Sequence, residues 1–255
     1  MRSSLITIVV CCSIPGMALS VRSTELPPSR EQTQTEQQKP QTTKKESDSE
    51  TLDFSGTGRP GQQTAGESRG SCTNAAQPIM AMLPESNSGK TVLGHPQFWV
   101  YFPESVVQNT EVEFVIQDES RQDIWRSRSP LNSASAYQSF GMPKTAAPLE
   151  VGNWYRWYVK LYCKNRLAST QYVQGWVNRV PLSAKLHLEL QQKPQDHLVY
   201  GNHRIWYEAI DLLLRSYHSD PKSLALEQDW QKMVEAKGVH LHHLPSVGGE
   251  RISQQ

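Results

Sequence analysis

Pro148-Leu149-Glu150-Val151-Gly152-Asn153-Trp154-Tyr155-Arg156-Trp157-Tyr158-Val159-Lys160-Leu161-Tyr162-Cys163 reads as a turn at Gly152 followed by a long strand. Odd positions carry Tyr155, Trp157, Val159, Leu161 and Cys163; even positions carry Trp154, Arg156, Tyr158, Lys160 and Tyr162. Side chains on a strand alternate between faces, so the two sets lie on opposite sides of a sheet. The odd set is the drier and is expected in the core. The even set interleaves aromatic rings with cations.

Working outward, the segment Lys164 to Ser169 is a polar turn, and Thr170 to Val180 is the returning strand. Upstream, Pro78–Leu83, Phe98–Phe102, Glu111–Ile116 and Asp123–Arg126 are short apolar or alternating runs separated by turn residues. Short strands at close spacing point to a sandwich or barrel. Leu149-x-x-Gly152-x-x-Tyr155-x-Trp157 resembles the corner that enters a late strand of fibronectin-type and immunoglobulin-like sandwiches, where a Tyr hydroxyl bonds back to the turn. The cysteine spacing departs from the antibody pattern, because Leu161 stands two before Cys163 and Cys72 precedes the first clear strand.

After Pro181 the apolar period changes. Ser183 caps a short helix bearing Leu182, Leu186 and Leu190. A second helix over about 203–219 carries Ile205, Trp206, Ala209, Ile210, Leu213, Leu214 and Tyr217 on one stripe. Asp220-Pro221 opens a third, with Leu226, Trp230, Met233 and Val234, that stops near Gly238. The expected fold class is α+β: an Ig/fibronectin-like antiparallel β-sandwich followed by a C-terminal α-helical hairpin.

The N-terminal part is different in kind. All seven Trp and nine Tyr of the 255 residues lie at or beyond Trp99, and residues 21–70 hold only Val21, Leu26, Leu52, Phe54 and Ala65 as apolar side chains. Arg2, the apolar run Leu5 to Ile14 and the small residues Ala18 and Ser20 make a secretory signal with cleavage after Ser20. The run is shorter than the roughly 20 residues that a helix needs to span a bilayer. The expected organisation is a signal peptide at 1–20, a disordered polar linker at 21–53, and one globular domain at 54–245 with a flexible tail at 246–255. Within the domain, 54–77 is a Gly-rich lead-in, 78–180 the sandwich and 181–245 the helical part. The mature chain is expected in the periplasm or the secreted fraction, with no membrane span after signal cleavage.

Several catalytic spellings lack the context their chemistry needs. Gly56-Thr57-Gly58-Arg59-Pro60-Gly61 matches a dinucleotide loop with no strand before it or periodic helix after it. Gly66-Glu67-Ser68-Arg69-Gly70 matches a nucleophile elbow between polar flanks. Ser88-Gly89-Lys90-Thr91 ends like a phosphate loop with Pro84 where its first Gly belongs. His240-Leu241-His242-His243 reads as tail histidines, since a tetrahedral metal site needs more ligands. Glu111, Glu113, Asp118 and Glu119 read as a solvated strand edge. Arg121, Arg126 and Arg128 are balanced by Asp118, Glu119 and Asp123, and the formal net charge of +1 leaves no electrostatic footprint for nucleic acid. No catalytic residue, metal or cofactor is expected. The even strand face, Trp154, Arg156, Tyr158, Lys160 and Tyr162, is the candidate ligand-binding surface. Its structural reading, as a seat for the apolar helices or a self-stacked ladder, is preferred.

The set Gly58-Arg59-Pro60-Gly61 through Ser68-Arg69-Gly70-x-Cys72, His95-Pro96-Gln97-Phe98-Trp99-Val100-Tyr101, Pro148-Leu149-Glu150-Val151-Gly152-x-x-Tyr155-Arg156-Trp157, Gly175-Trp176-Val177-x-Arg179-Val180 and Ile205-Trp206-Tyr207-Glu208-Ala209 resembles a family of secreted, mainly cyanobacterial proteins catalogued as domain of unknown function 928. Such sequences commonly read GIWYDA where this one has Arg204 and Glu208. The resemblance covers about residues 54–245 and implies compartment and extent, not chemistry. The functional expectation is a non-catalytic interaction module whose partners are other envelope or secreted proteins. The alternatives are a carbohydrate-binding module using the aromatic-basic face to hold glycans, and a hydrolase with a dispersed site.

Export makes Cys72 and Cys163 an even pair in an oxidising space, once Cys11 and Cys12 leave with the signal. They are expected to bond. Closing so long a loop is worth roughly 4–5 kcal/mol in the chain-entropy model. A non-reduced digest of the exported chain should yield one linked Cys72–Cys163 peptide by mass spectrometry. Separate, unlinked peptides would remove the bridge.

Overall fold

The structure is a computed structural model that describes residues 51–65, 78–103, 110–131, 135–163 and 171–247. The expected signal peptide, the linker up to residue 50, Ser68, Cys72, the side chain of Cys163 and most of the C-terminal tail lie outside the described residues. The disulfide expectation therefore does too.

Among the described residues the fold is mixed α/β and mostly sheet. The strands are β1 (Met80–Ala81), β2 (Ser88–Thr91), β3 (Phe98–Tyr101), β4 (Thr110–Gln117), β5 (Asp123–Pro130), β6 (Tyr137–Phe140), β7 (Trp154–Cys163) and β8 (Gln171–Arg179). They form a three-stranded sheet ordered β1-β3-β6 and a five-stranded sheet ordered β2-β8-β7-β4-β5. The helices are α1 (Ala184–Gln192), α2 (His197–Asn202), α3 (Trp206–Ser219) and α4 (Leu224–Val234). No helix among the described residues is long and apolar enough to cross a membrane.

The Pro148–Cys163 stretch behaves as its alternation predicts. Tyr155, Trp157, Val159 and Leu161 are buried, while Trp154, Arg156, Tyr158, Lys160 and Tyr162 are half-buried. The turn is a true corner. Gly152 has φ +92°, and the Glu150 amide donates to the Tyr155 hydroxyl at 2.9 Å. In register, Trp157 lies opposite Ile116 on one side and Gly175 on the other. Gly175 is required there, because a Cβ would sit 2.2 Å from Leu83 Cδ1 and 2.9 Å from the Trp157 ring.

The sheet is not purely antiparallel. β2 pairs with β8 in parallel, Ser88 opposite Trp176 and Thr91 opposite Arg179. Parallel neighbours require a long crossover, and here β3 to β7 intervene between the two strands. Ser88-Gly89-Lys90-Thr91, the spelled phosphate loop, is this edge strand.

Rings join the two sheets. Phe98 of β3 lies 5.3 Å from both Phe114 of β4 and Trp157 of β7, and Phe114 lies 6.0 Å from Phe140 of β6. The linker boundary moves: Leu52 is already buried, and Asp53, assigned from sequence to the linker, forms a bridge with Lys237.

The helical part differs from its sequence reading in two places. α2 is only six residues, too short to show a period, and is capped by Asp196. The cap of α4 is Ser223, whose hydroxyl accepts from Leu226, rather than Asp220. Asp220 instead closes the preceding turn by accepting from the Ser223 amide.

The first turn of α3 inserts beside the sheets. Trp206 and Tyr207 are buried, and Gly89 leaves room for both, since a Cβ would meet their side chains at 2.9–3.0 Å. Trp206 Nε1 donates to the Met82 carbonyl at 2.9 Å. The Tyr207 hydroxyl accepts from Trp157 Nε1 at 2.8 Å and donates to the Trp176 carbonyl at 2.9 Å. Tyr207→Phe strands the buried Trp157 indole N–H. An unpaired buried group costs about 1–3 kcal/mol, so the denaturation midpoint should fall by that equivalent. An unchanged midpoint would show that the contact carries no stability.

Candidate functional site

The even side chains of β7 stand on the face of the five-stranded sheet opposite Trp157. The helices are not seated on this face; they pack on the other side, where Tyr207 meets Trp157 and Phe98. That corrects the seat half of the structural reading. The ladder half holds. Arg59 lies over Trp154 at 3.9 Å and Trp176 at 4.8 Å. Arg156 lies 5.0 Å from the Tyr158 ring and 5.6 Å from Trp176. Lys160 lies 5.4 Å from Tyr158, and Arg128 lies 3.9 Å from Tyr162. Each such contact is worth roughly 0.5–1 kcal/mol when exposed, so the ladder fixes orientations more than it stabilises the fold.

Carboxylates complete the face. Glu113 receives Arg126 at 2.6 Å, Lys160 at 3.6 Å and the Tyr162 hydroxyl at 3.0 Å. Partial burial pushes its carboxyl up, but the hydrogen bonds from Arg126 and Tyr162 prevail and hold it below the usual carboxylate range. Glu111 pairs with Arg128, and Glu119 with Arg59. Of the four carboxylates read as a solvated strand edge, Glu111, Glu113 and Glu119 are thus engaged in ion pairs, and Asp118 accepts from the Gln122 amide.

The sequence reading missed what crosses one end of the ladder. Residues 58–65 run as a strap. Arg59 lies against both indoles, and the Pro60 carbonyl accepts from Trp176 Nε1 at 2.7 Å and Gln174 Nε2 at 3.1 Å. Beyond it Gln62 bridges to Gln174 of β8 and Thr64 to Met80 of β1, so the strap ties the two sheets together. Gly61 is needed for the approach, since a Cβ would fall on the Asn87 amide. The dinucleotide-loop spelling at 56–61 therefore has a structural use. Its Pro between two Gly, followed by amides, was the only available signal. Tyr158, Lys160, Tyr172 and Tyr162 lie beyond the strap, with Tyr158 and Tyr172 rings 6.2 Å apart.

Elsewhere, the His240 and His242 rings lie 6.2 Å apart and His240 contacts Glu85. Among the described residues no group of three or more His, Cys, Asp or Glu is placed to hold a metal ion. His95 donates to the Ala146 carbonyl at 2.9 Å, fixing the turn into β3.

The model of a family described as Domain of Unknown Function (DUF928) matches residues 64–246. No curated protein matches. Among solved structures, the crystal structure of an FMN-binding beta-glucuronidase from Facaelibacterium prausnitzii L2-6 aligns at 16% identity over 40% of this chain and 15% of that one. Its TM-score is 0.25, and it carries no argument.

One buried acid stands apart. Glu208, in the first turn of α3, accepts from the Thr91 hydroxyl and from the Leu93 amide at 3.2 Å, while its Oε2 has no partner. Burial raises its pKa to about 7, against the pull of those hydrogen bonds. The folded state then holds a proton that the unfolded state releases above about 4.5. Its stabilising contribution is complete below that pH and is lost as pH rises through 7. The span corresponds to about 3 kcal/mol. Burial depresses His197 and His218 and gives the opposite slope below their ordinary range, so the useful quantity is a difference. Stability of wild type minus Glu208→Gln should fall between pH 5 and 7.5 and flatten above. A flat difference curve would contradict a raised Glu208.

Proposed function

We infer a function for this chain, which belongs to the Domain of Unknown Function (DUF928) family, from its own residues: it is a non-catalytic interaction module that docks other envelope or secreted proteins through the outer face of its five-stranded sheet. One observation carries the reading. The aromatic-cationic ladder is held rigid by its own stacking and ion pairs, yet its far half, around Tyr158, Tyr172, Lys160 and Tyr162, lies clear of the strap and on the side away from the helices. Tyr172 is exposed and the others are half-buried. Pre-ordered Tyr and Arg side chains bind at low entropic cost, and such residues dominate protein interfaces.

The finer architecture belongs to the same reading. We take the two facing sheets as an Ig/fibronectin-type sandwich, which the Tyr155 corner supports, and α3 with α4 as its helical hairpin. The leader pattern at 1–20 supports export, and export supports a Cys72–Cys163 bridge.

The test is affinity capture by the exported full chain from its native envelope fraction, with wild type and a Tyr158→Ala/Tyr172→Ala variant side by side. Both positions face outward, so the variant should keep its unfolding midpoint. The expected result is a protein partner retained by wild type and lost from the variant. Identical captured sets would remove the face as the docking surface.

A further inference from the structure

Beside the strapped end of the ladder lies a cavity of about 360 Å³, within the range of roughly 300–1,000 Å³ that holds small ligands. It is a different place from the open Tyr158–Tyr172 half. Its apolar walls are Phe54, Trp154 and Trp206, with Phe54 edge-on to Trp206 at 4.8 Å. Its polar walls include Thr57, Lys90 and Arg204, and none of the lining residues is acidic.

The cations here have unequal commitments. Lys90 projects from edge strand β2, exposed, with neither ion pair nor hydrogen bond among the described residues. Thr57 is likewise exposed and without a hydrogen bond there. Arg204 sits at φ +59°, in the left-handed region that favours glycine. A residue with a Cβ is disfavoured there by roughly 1–2 kcal/mol, and such strain persists only where the surroundings impose it. The guanidinium is anchored by donating to Asp53 at 2.9 Å. Asp53 also takes the Ser55 hydroxyl and amide, and Lys237 at 3.4 Å. Arg204 is thus held by Asp53, and Lys90 is the lining cation left without an ion pair among the described residues.

An inorganic anion needs no aromatic walls, and a lipid chain needs no free ammonium and hydroxyl. A sugar ring with a negative substituent uses both. Its C–H face packs on rings, its hydroxyls pair with side-chain hydroxyls, and its anion takes the cations. We propose that this cavity binds an acidic saccharide, a sugar carrying a carboxylate or sulfate, with the anion drawn to Lys90 and Arg204 and the ring face on Trp154 and Phe54.

Calorimetric titration of the full chain with tetragalacturonate and with a sulfated chondroitin disaccharide tests this and separates carboxylate from sulfate. Maltotetraose and acetate are the neutral-sugar and free-anion controls. The expected result is binding to at least one acidic sugar, weakened by added salt, with both controls much weaker. Lys90→Gln, at an exposed and unpaired position, should weaken it about tenfold, the loss of one charge-assisted hydrogen bond. The Trp154 and Trp206 indole N–H resonances should shift on titration. Tyr158→Ala/Tyr172→Ala should bind the sugar as wild type does, so this result stands or falls apart from protein capture by the open face. No binding to either acidic sugar overturns the proposal. Equal binding of maltotetraose does so too, as does indifference to Lys90→Gln or loss of sugar binding in the double tyrosine variant.

Discussion

The Tyr207 hydroxyl sits where the molecule's parts meet. It accepts from the Trp157 indole and donates to the Trp176 carbonyl, so one oxygen connects α3 with β7 and β8. The Trp157 indole N–H would otherwise be a buried donor without a hydrogen bond, which a protein interior penalises. The contact requires two absences of side chain, at Gly89 beneath Trp206 and Tyr207 and at Gly175 beside Trp157. Large aromatic rings thus replace what would be a wider gap between sheet and helix. Their polar handles fix which ring goes where. Trp206 reaching the Met82 carbonyl extends the arrangement to the chain just after β1.

With the helices committed to that side, the opposite face of the five-stranded sheet has to be managed differently. A face of bare Trp and Tyr would be a sticky patch. Here Trp154, Trp176, Tyr158 and Tyr162 each have a cation over or beside them, and Arg59, Arg128 and Lys160 each have a carboxylate within reach, while Arg156 donates to Gln117. Glu113 is the centre of that arrangement, holding Arg126, Lys160 and Tyr162 together. The strap then closes one end, with Arg59 shared between two indoles. Thr57, just before the strap that covers Trp154 and Trp176, borders the cavity. Covered ladder, open ladder and cavity are consequently neighbours with distinct chemistry: indoles under Arg59 in the first, tyrosines and an amine in the second, and an unpaired ammonium among rings in the third.

Alternation along 154–163 was enough to separate Trp157 from Arg156 and to place the core, because strand geometry permits no other assignment of two such different sets. The Tyr155 corner and the stripe of α3 were equally legible, being local patterns of turn and helix. β6 and α2 were not, since four or six residues carry too little period to be distinguished from loop. The parallel pairing of β2 was beyond any local reading. Ser88-Gly89-Lys90-Thr91 is polar and glycine-containing, and it becomes a strand only because β8 offers a free edge and α3 needs Gly89 beneath it. The strap was misleading for a related reason. Its glycines are spelled like a dinucleotide loop, but Gly58 and Gly61 answer to Ser86 and Asn87, residues distant in sequence.

From the chain alone came which residues are buried along β7, α3 and α4, the corner at Gly152, and the separation of a polar leader from an aromatic body. These follow from periodicity and composition, which act within a few residues. Only the tertiary structure decided which face the helices cover, that Arg59 belongs to the ladder, that Glu208 is buried against Thr91, and that Lys90 and Arg204 share a cavity. Each of those depends on segments brought together across the chain, where the choice is made by packing volume and hydrogen-bond satisfaction rather than by local pattern.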